Sequence, residues 1–231
     1  TYTDMGLSNG TYTYGVSAVH TTGESVPTEI EVTVLLELGE LVFGDDFESY
    51  PDFATEFAPW NMFDRDGLNT YTFTGLDFPG AGTPMAFLIF NPSATTPPLE
   101  DLQAHSGSKM VASVAVQGGA NNDILVTPRV RLGSNSKLRF YAKSHTAQFG
   151  LERFKVGVSR APVLTPQFQW LDANYVEAPT AWTEYIYDLN VFNGSAIRVA
   201  INCVSDDAFI LYIDDFSIYS DGGVDTDDNV T

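Results

Sequence analysis

Apolar and polar residues alternate along most of this chain, and no long segment carries apolar residues at helical spacing. A period of two sends successive side chains to opposite faces of an extended strand. The pattern predicts strands at 11–19, 29–34, 109–116, 137–142, 154–159, 183–189, 197–203 and 208–219. Gly, Pro, Asn and Asp punctuate the intervals, as turns require. Many strands with long connections predict an all-β chain built around a sandwich. No apolar run approaches ~18 residues, so no insertion into a membrane is expected.

The pattern divides the chain. Near the start, Tyr12, Tyr14, Val16 and Ala18 fall on one strand face, a Gly-Glu-Ser-Val-Pro turn follows, and a second strand begins at Glu29. The run from Leu7 to Val19, with that turn, resembles the last two strands of a fibronectin type III domain. Such a domain has about seven strands. Residues 1–36 are therefore expected to be its C-terminal strands only, packing on the rest of the chain or on absent sequence. Residues 37–220 are expected to form the main domain, and 221–231 an acidic linker. With Thr1 as its first residue, the chain reads as a piece of a longer polypeptide, whose other domains are expected partners.

Charge narrows the partners. Thirty acids stand against eleven bases, a formal charge of −19. That surface repels the phosphates of nucleic acid and of anionic membranes. It serves solubility, and where carboxylates cluster it attracts hard cations, Ca²⁺ above all. The one cysteine, Cys203, lies in an apolar strand and is expected to be buried and inert. His20, His105 and His145 show no metal-ligand spacing. No nucleophile elbow, phosphate loop or dinucleotide fingerprint is present. Paired carboxylates serve glycoside hydrolases, but nothing in the sequence marks one as an acid in an apolar setting. The expectation is a non-enzyme.

The candidate chemistry lies at the ends of the main domain, Phe43-Gly-Asp-Asp-Phe-Glu48 and Tyr212-Ile-Asp-Asp-Phe216. In a jelly roll the first and last strands often lie side by side. Pairing would bring Asp45, Asp46 and Glu48 near Asp214 and Asp215, where acids inside apolar strands are costly unless paired or metal-bound. These five are the expected Ca²⁺ ligands; the competing reading is exposed edge-strand acids that block aggregation. Asp123 is either a further ligand or a turn residue opening a strand.

Residues 41 to 219 resemble the cleaved-adhesin, or choice-of-anchor J, domain repeated in gingipain haemagglutinin regions. The resemblance rests on the two segments above, on Ala58-Pro-Trp-Asn-Met-Phe-Asp-Arg-Asp-Gly67, on Ala104-His-Ser-Gly-Ser-Lys-Met110, on Asn121-Asn-Asp-Ile-Leu-Val-Thr-Pro128, and on Trp182 to Leu189. It implies a jelly-roll β-sandwich of the galactose-binding-like or MAM-like kind, structural calcium, a secreted or bacterial cell-surface location, and binding to a glycan or host protein. The family pattern has Asp-x-Asp-Gly-Asp-Gly after the tryptophan. Here Asp64, Asp66 and Gly67 are followed by Leu68, which stands where an oxygen ligand would, so Asp64 and Asp66 are secondary metal candidates or parts of a polar turn. Among the loops, Phe168, Trp170 and Tyr175 are the expected ligand-contacting aromatics, against the reading that they cover the sandwich edge. An alternative function is a structural spacer within a larger surface protein or protease.

Overall fold

The computed structural model describes residues 10–34 and 38–225. The chain divides into two units, Thr1–Leu38 and Gly39–Thr231. In the first, β1 (Gly10–Val16) pairs antiparallel with β4 (Thr28–Val34), and β2 (Val19–His20) with β3 (Gly23–Glu24). The register sets Tyr12 opposite Val32 and Tyr14 opposite Ile30. Residues 1–9, including the start of the fibronectin-like run, and residues 226–231 of the expected linker lie outside the described residues.

The second unit holds β5 (Leu41–Asp45), β6 (Asn61–Asp64), β7 (Leu88–Phe90), β8 (Met110–Val114), β9 (Asp123–Val126), β10 (Val130–Arg131) and β11 (Ser134–Ser144). These are followed by β12 (Glu152–Ser159), β13 (Gln169–Trp170), β14 (Val176–Ala178), β15 (Thr183–Asp188), β16 (Ala196–Cys203), β17 (Ile210–Asp221) and β18 (Val224–Asp225). One sheet centres on β16, with β12 on one side and β9 and β10 on the other; β13 and β14 flank β12, β6 flanks β9, and β18 flanks β10. The other sheet runs β15-β11-β17, with β5 and β8 sharing the far side of β17 and β7 beyond β8. The first and last long strands are thus neighbours, with Asp45 opposite Phe216 and Phe43 opposite Ile218. The stretch expected as linker begins inside the fold, since β17 continues to Asp221 and Val224 pairs with Arg131.

Alternation explains the core. Leu138, Phe140 and Ala142 of β11 face inward with Phe216 and Ile218 of β17. They meet Phe154, Val156 and Val158 of β12 and Ile197, Val199 and Ile201 of β16, forming the main core between the sheets. The N-terminal half of β17 is buried on both faces, because the chain from Phe78 to Leu102 folds over the outer side of β17, β8 and β7. This β-sandwich matches the expected fold class. Cys203 is buried, and burial pushes its thiol up to about 12, so it is inert at neutral pH.

Candidate cation site and its loops

The five acids of β5, the turn after it and β17 are engaged chiefly by hydrogen-bond donors. Half-buried Asp45 accepts from Phe47 N–H (2.8 Å), Trp60 Nε1–H (2.6 Å) and the Tyr50 hydroxyl. Glu48 accepts from Ser108 N–H (2.8 Å), Lys109 N–H (2.6 Å) and the Ser108 hydroxyl (2.8 Å). Burial opposes the Glu48 charge, but those N–H donors outweigh it and hold the carboxyl below its ordinary value. Asp214, fully buried, accepts from His105 N–H (2.8 Å), Ser106 N–H (3.2 Å) and Asp215 N–H (2.8 Å). Burial nevertheless raises it to about 7. Asp215 takes His105 Nδ1 and the Ser106 hydroxyl. Exposed Asp46 accepts the Glu48 N–H (3.2 Å).

These acids therefore clasp the loop His105–Lys109. Gly107 is needed there, because φ is +59° and an added Cβ would lie 2.5 Å from the Glu48 carboxyl. The loop also brings its own cation. Lys109 Nζ donates to the carbonyls of Glu48 (3.1 Å) and Tyr50 (2.7 Å) and lies 3.5 Å from Asp52. Asp45, Glu48, Asp214 and Asp215 thus each have N–H or O–H partners, whereas Asp46 has one oxygen facing solvent.

The secondary candidates converge instead. Antiparallel pairing of β6 with β9 sets Asp64 directly opposite Asp123, and Asp66 follows two residues on. Carboxylate oxygens of Asp64, Asp66 and Asp123 lie within 4.8 Å of one another, forming the metal-competent group found among the described residues. Asp64 Oδ1 accepts the Gly67 N–H (2.6 Å), and Asp66 accepts the N–H groups of Leu68 (2.9 Å) and Asn122 (2.7 Å). Asp123 is fully buried. Its Oδ2 accepts from Asn121 Nδ2 (2.8 Å) and Ser113 Oγ (3.1 Å), while its Oδ1 has no hydrogen-bond partner. Burial, with the charges of Asp66 and Asp64, raises Asp123 to about 8 against those two bonds.

An orphan buried carboxylate oxygen facing two further carboxylates is the donor set of a hard divalent cation. The residues fit Ca²⁺: three carboxylates would hold it, with backbone carbonyls and water completing the shell. Leu68 also finds its reason. An added Cβ on Gly119 would lie 2.8 Å from Leu68 Cδ1, so Leu68 packs over the 117–120 turn and does not serve as a ligand.

The raised values of Asp123 and Asp214 are those sought in a general acid. Both are fully buried, so neither reaches a substrate. The loop aromatics are spread over the sheet centred on β16. Phe168 and Trp170 cover Ile124, Val126 and Ala200 on its outer face. They sit over Gly157, where a Cβ would lie 2.7 Å from the Trp170 ring. Tyr175 is 47% exposed, with the Arg153 guanidinium 4.6 Å from its ring centre. The sequence reading missed a further aromatic group, Tyr71, Phe73, Phe149 and Phe209, because it assembles from three separate loops.

No protein-family model matches this sequence, and no curated protein matches it significantly. Solved structures do. The K1 cleaved adhesin domain of Lys-gingipain from Porphyromonas gingivalis W83 is 20% identical with a TM-score of 0.56, covering 78% of this chain and 98% of that domain. The K3 domain of the same protein is 21% identical with a TM-score of 0.53 over the same shares. The K2 domain is 20% identical with a TM-score of 0.55, covering 76% of this chain and 98% of that domain. The likeness to cleaved adhesin domains expected from the sequence is present in the fold.

Proposed function

We propose that this chain is a calcium-stabilised, non-catalytic binding module of a secreted or bacterial cell-surface protein, taking a glycan or host protein as its partner. The observation that carries the calcium reading is the buried, unpartnered Oδ1 of Asp123 beside Asp64 and Asp66. Without a cation, that arrangement places three acids together with one oxygen unsolvated; with one, the repulsion becomes attraction. The cation would tie the β6 end and its following turn to the start of β9, fixing the loops that leave them. Support for adhesion comes from the cleaved adhesin domains that share the fold. Support for a non-catalytic role comes from the burial of the two most perturbed aspartates.

Two measurements test the proposal. Isothermal titration of the chelator-treated protein with Ca²⁺ should show a site that Asp123→Asn abolishes. Screening the calcium-loaded protein against glycans and extracellular-matrix proteins should find a ligand, with no turnover of it. Absence of heat on Ca²⁺ addition refutes the cation site. Failure to capture any partner favours a spacer.

A further inference from the structure

A pocket of about 250 Å³ opens between the loops at the β8 and β17 end of the second sheet, lined by Tyr71, Phe73, Phe149, Asp207, Ala208 and Phe209. Its walls are tied to the sheet. The Ala115 carbonyl accepts the Tyr71 N–H at 2.9 Å, and the Ala115 N–H donates to the Phe209 carbonyl at 2.9 Å. Buried Glu152 accepts the Phe209 N–H at 2.5 Å and the Ser205 hydroxyl. The Phe209 ring is flanked by Phe73 at 4.3 Å between ring centres, and by Phe149 at 6.0 Å and nearly parallel, 13° between planes. Phe149 is 53% exposed although it is a large apolar ring, and it faces solvent at the mouth. Asp207 is exposed beside it and accepts the Tyr71 hydroxyl at 3.0 Å through Oδ1, leaving Oδ2 for a ligand.

We infer that this pocket binds the cationic side chain, arginine or lysine, of a basic partner protein. Ring faces attract a cation, and they do so more strongly where water is displaced. Asp207, with its exposed neighbour Asp206, supplies a counter-charge at the mouth of a chain whose net charge is −19. No cationic side chain lines the pocket. Behind Phe209, His145 packs at 4.9 Å, and burial with nearby Lys143 holds its imidazole below the ordinary value, so it stays neutral. A sugar ring would need donors as well as acceptors for its hydroxyls. Tyr71 carries the only O–H among the lining side chains, and it is already given to Asp207. The volume falls below the ~300 Å³ at which pockets for drug-sized ligands begin, which suits one side chain and not an oligosaccharide. The inference rests on the chain being a binding module, but not on the cation site.

The test is titration of the full chain, in Ca²⁺, with capped peptides carrying one central arginine, lysine or norleucine, read by NMR of the aromatic side chains. Norleucine keeps the aliphatic stem and removes the charge. Arginine and lysine peptides should shift resonances of Tyr71, Phe149 and Phe209, and the norleucine peptide should bind at least about tenfold more weakly. Asp207→Asn should weaken arginine binding about five- to tenfold, and added salt should weaken it further. Phe149→Ala removes an exposed ring and should abolish binding with an unchanged melting temperature; Phe149→Tyr should retain binding if the ring face is what matters. Equal binding of norleucine, shifts produced by neutral disaccharides and not by the cationic peptides, or silence at these residues with calcium binding intact would each overturn the inference. The last result leaves the calcium reading standing.

Discussion

Replacing Asp123 with asparagine should stabilise the protein in the absence of calcium and lose most of that advantage in its presence. Without a cation, the wild-type carboxylate is held at about 8 against an ordinary value of 3.8. At about pH 7.5 that displacement costs the folded state at most roughly 5 kcal/mol. Asparagine has the same shape and no charge. Its oxygen can keep the Asn121 and Ser113 donors, and its amide N–H can be given to Asp64 or Asp66. In excess chelator Asp123→Asn should therefore melt higher than wild type. In Ca²⁺ that gap should close to within about 1 kcal/mol, because ~1,000-fold excess over the dissociation constant returns about 4 kcal/mol to a protein that binds the ion. For a unit of this size each kcal/mol moves the melting temperature by ~2–4 °C, so chelation should lower the wild-type midpoint by about 8–16 °C and leave the variant unmoved. Thermal scans by circular dichroism in both media suffice. A variant equally destabilised in both, or a wild type indifferent to chelator, would show that Asp123 is an ordinary buried hydrogen-bonding residue.

Three further outcomes follow from the same geometry. Burial raises Asp214 to about 7 from 3.8, so its contribution to stability is full below about pH 4 and lost as pH rises through about 7. In saturating Ca²⁺, where Asp123 stays ionised, wild type should lose stability from this group between about pH 4 and 7, and Asp214→Asn should flatten that fall; parallel curves would refute it. Glu48→Gln weakens the acceptors of Ser108 and Lys109 and should cost about 1–3 kcal/mol in denaturant melts, with earliest hydrogen exchange at 105–109; uniform exchange would count against the clasp. Gly157→Ala drives a Cβ into Trp170 and Phe168 and should cost about 1–3 kcal/mol while shifting tryptophan emission to the red; an unaltered spectrum would mean that Trp170 is not seated there.

The strand alternation made the sandwich legible. It located β11, β12, β15, β16 and β17, all six or more residues long; buried positions alternate along β11 and the C-terminal half of β17, whereas β16 is buried on both faces and β15 is half-buried along nearly all its length. It missed β6, β7 and β9, which are three or four residues long and too short to show a period. That omission mattered, because β6 and β9 juxtapose Asp64 and Asp123. Adjacent acids in apolar strands drew attention to Asp214 and Asp215, and the predicted pairing of first and last strands is present. What the pattern could not carry was the loop His105–Lys109, whose backbone N–H groups donate to Asp214 and Glu48 and whose His105 and Ser106 side chains meet Asp215. Backbone donors leave no compositional trace, so a carboxylate satisfied by peptide N–H groups and one awaiting a metal read alike in sequence.

Leu68 takes a different meaning once the fold is known. Compared position by position with a calcium-loop pattern, an apolar residue there argues against a metal. The fold alters the meaning of that comparison, because the third carboxylate comes from Asp123 across the sheet and not from the turn itself. Under the proposed calcium reading the turn needs only two acids, and its fifth position is available to pack on Gly119. The aromatic pocket has the same long-range origin. Tyr71 and Phe209 are 138 positions apart in the chain, yet both are hydrogen-bonded to the single residue Ala115, one on each side of its peptide framework. Sites built in this way depend on strand register, and a one-residue slip would send every such side chain to the other face of the sheet. Their test is accordingly structural: paired substitutions at Asp64 and Asp123, read in a double-mutant cycle, should couple by about 0.5–3 kcal/mol, unfavourably in chelator and favourably in Ca²⁺. Additive effects in both media would mean that the two carboxylates do not share a ligand.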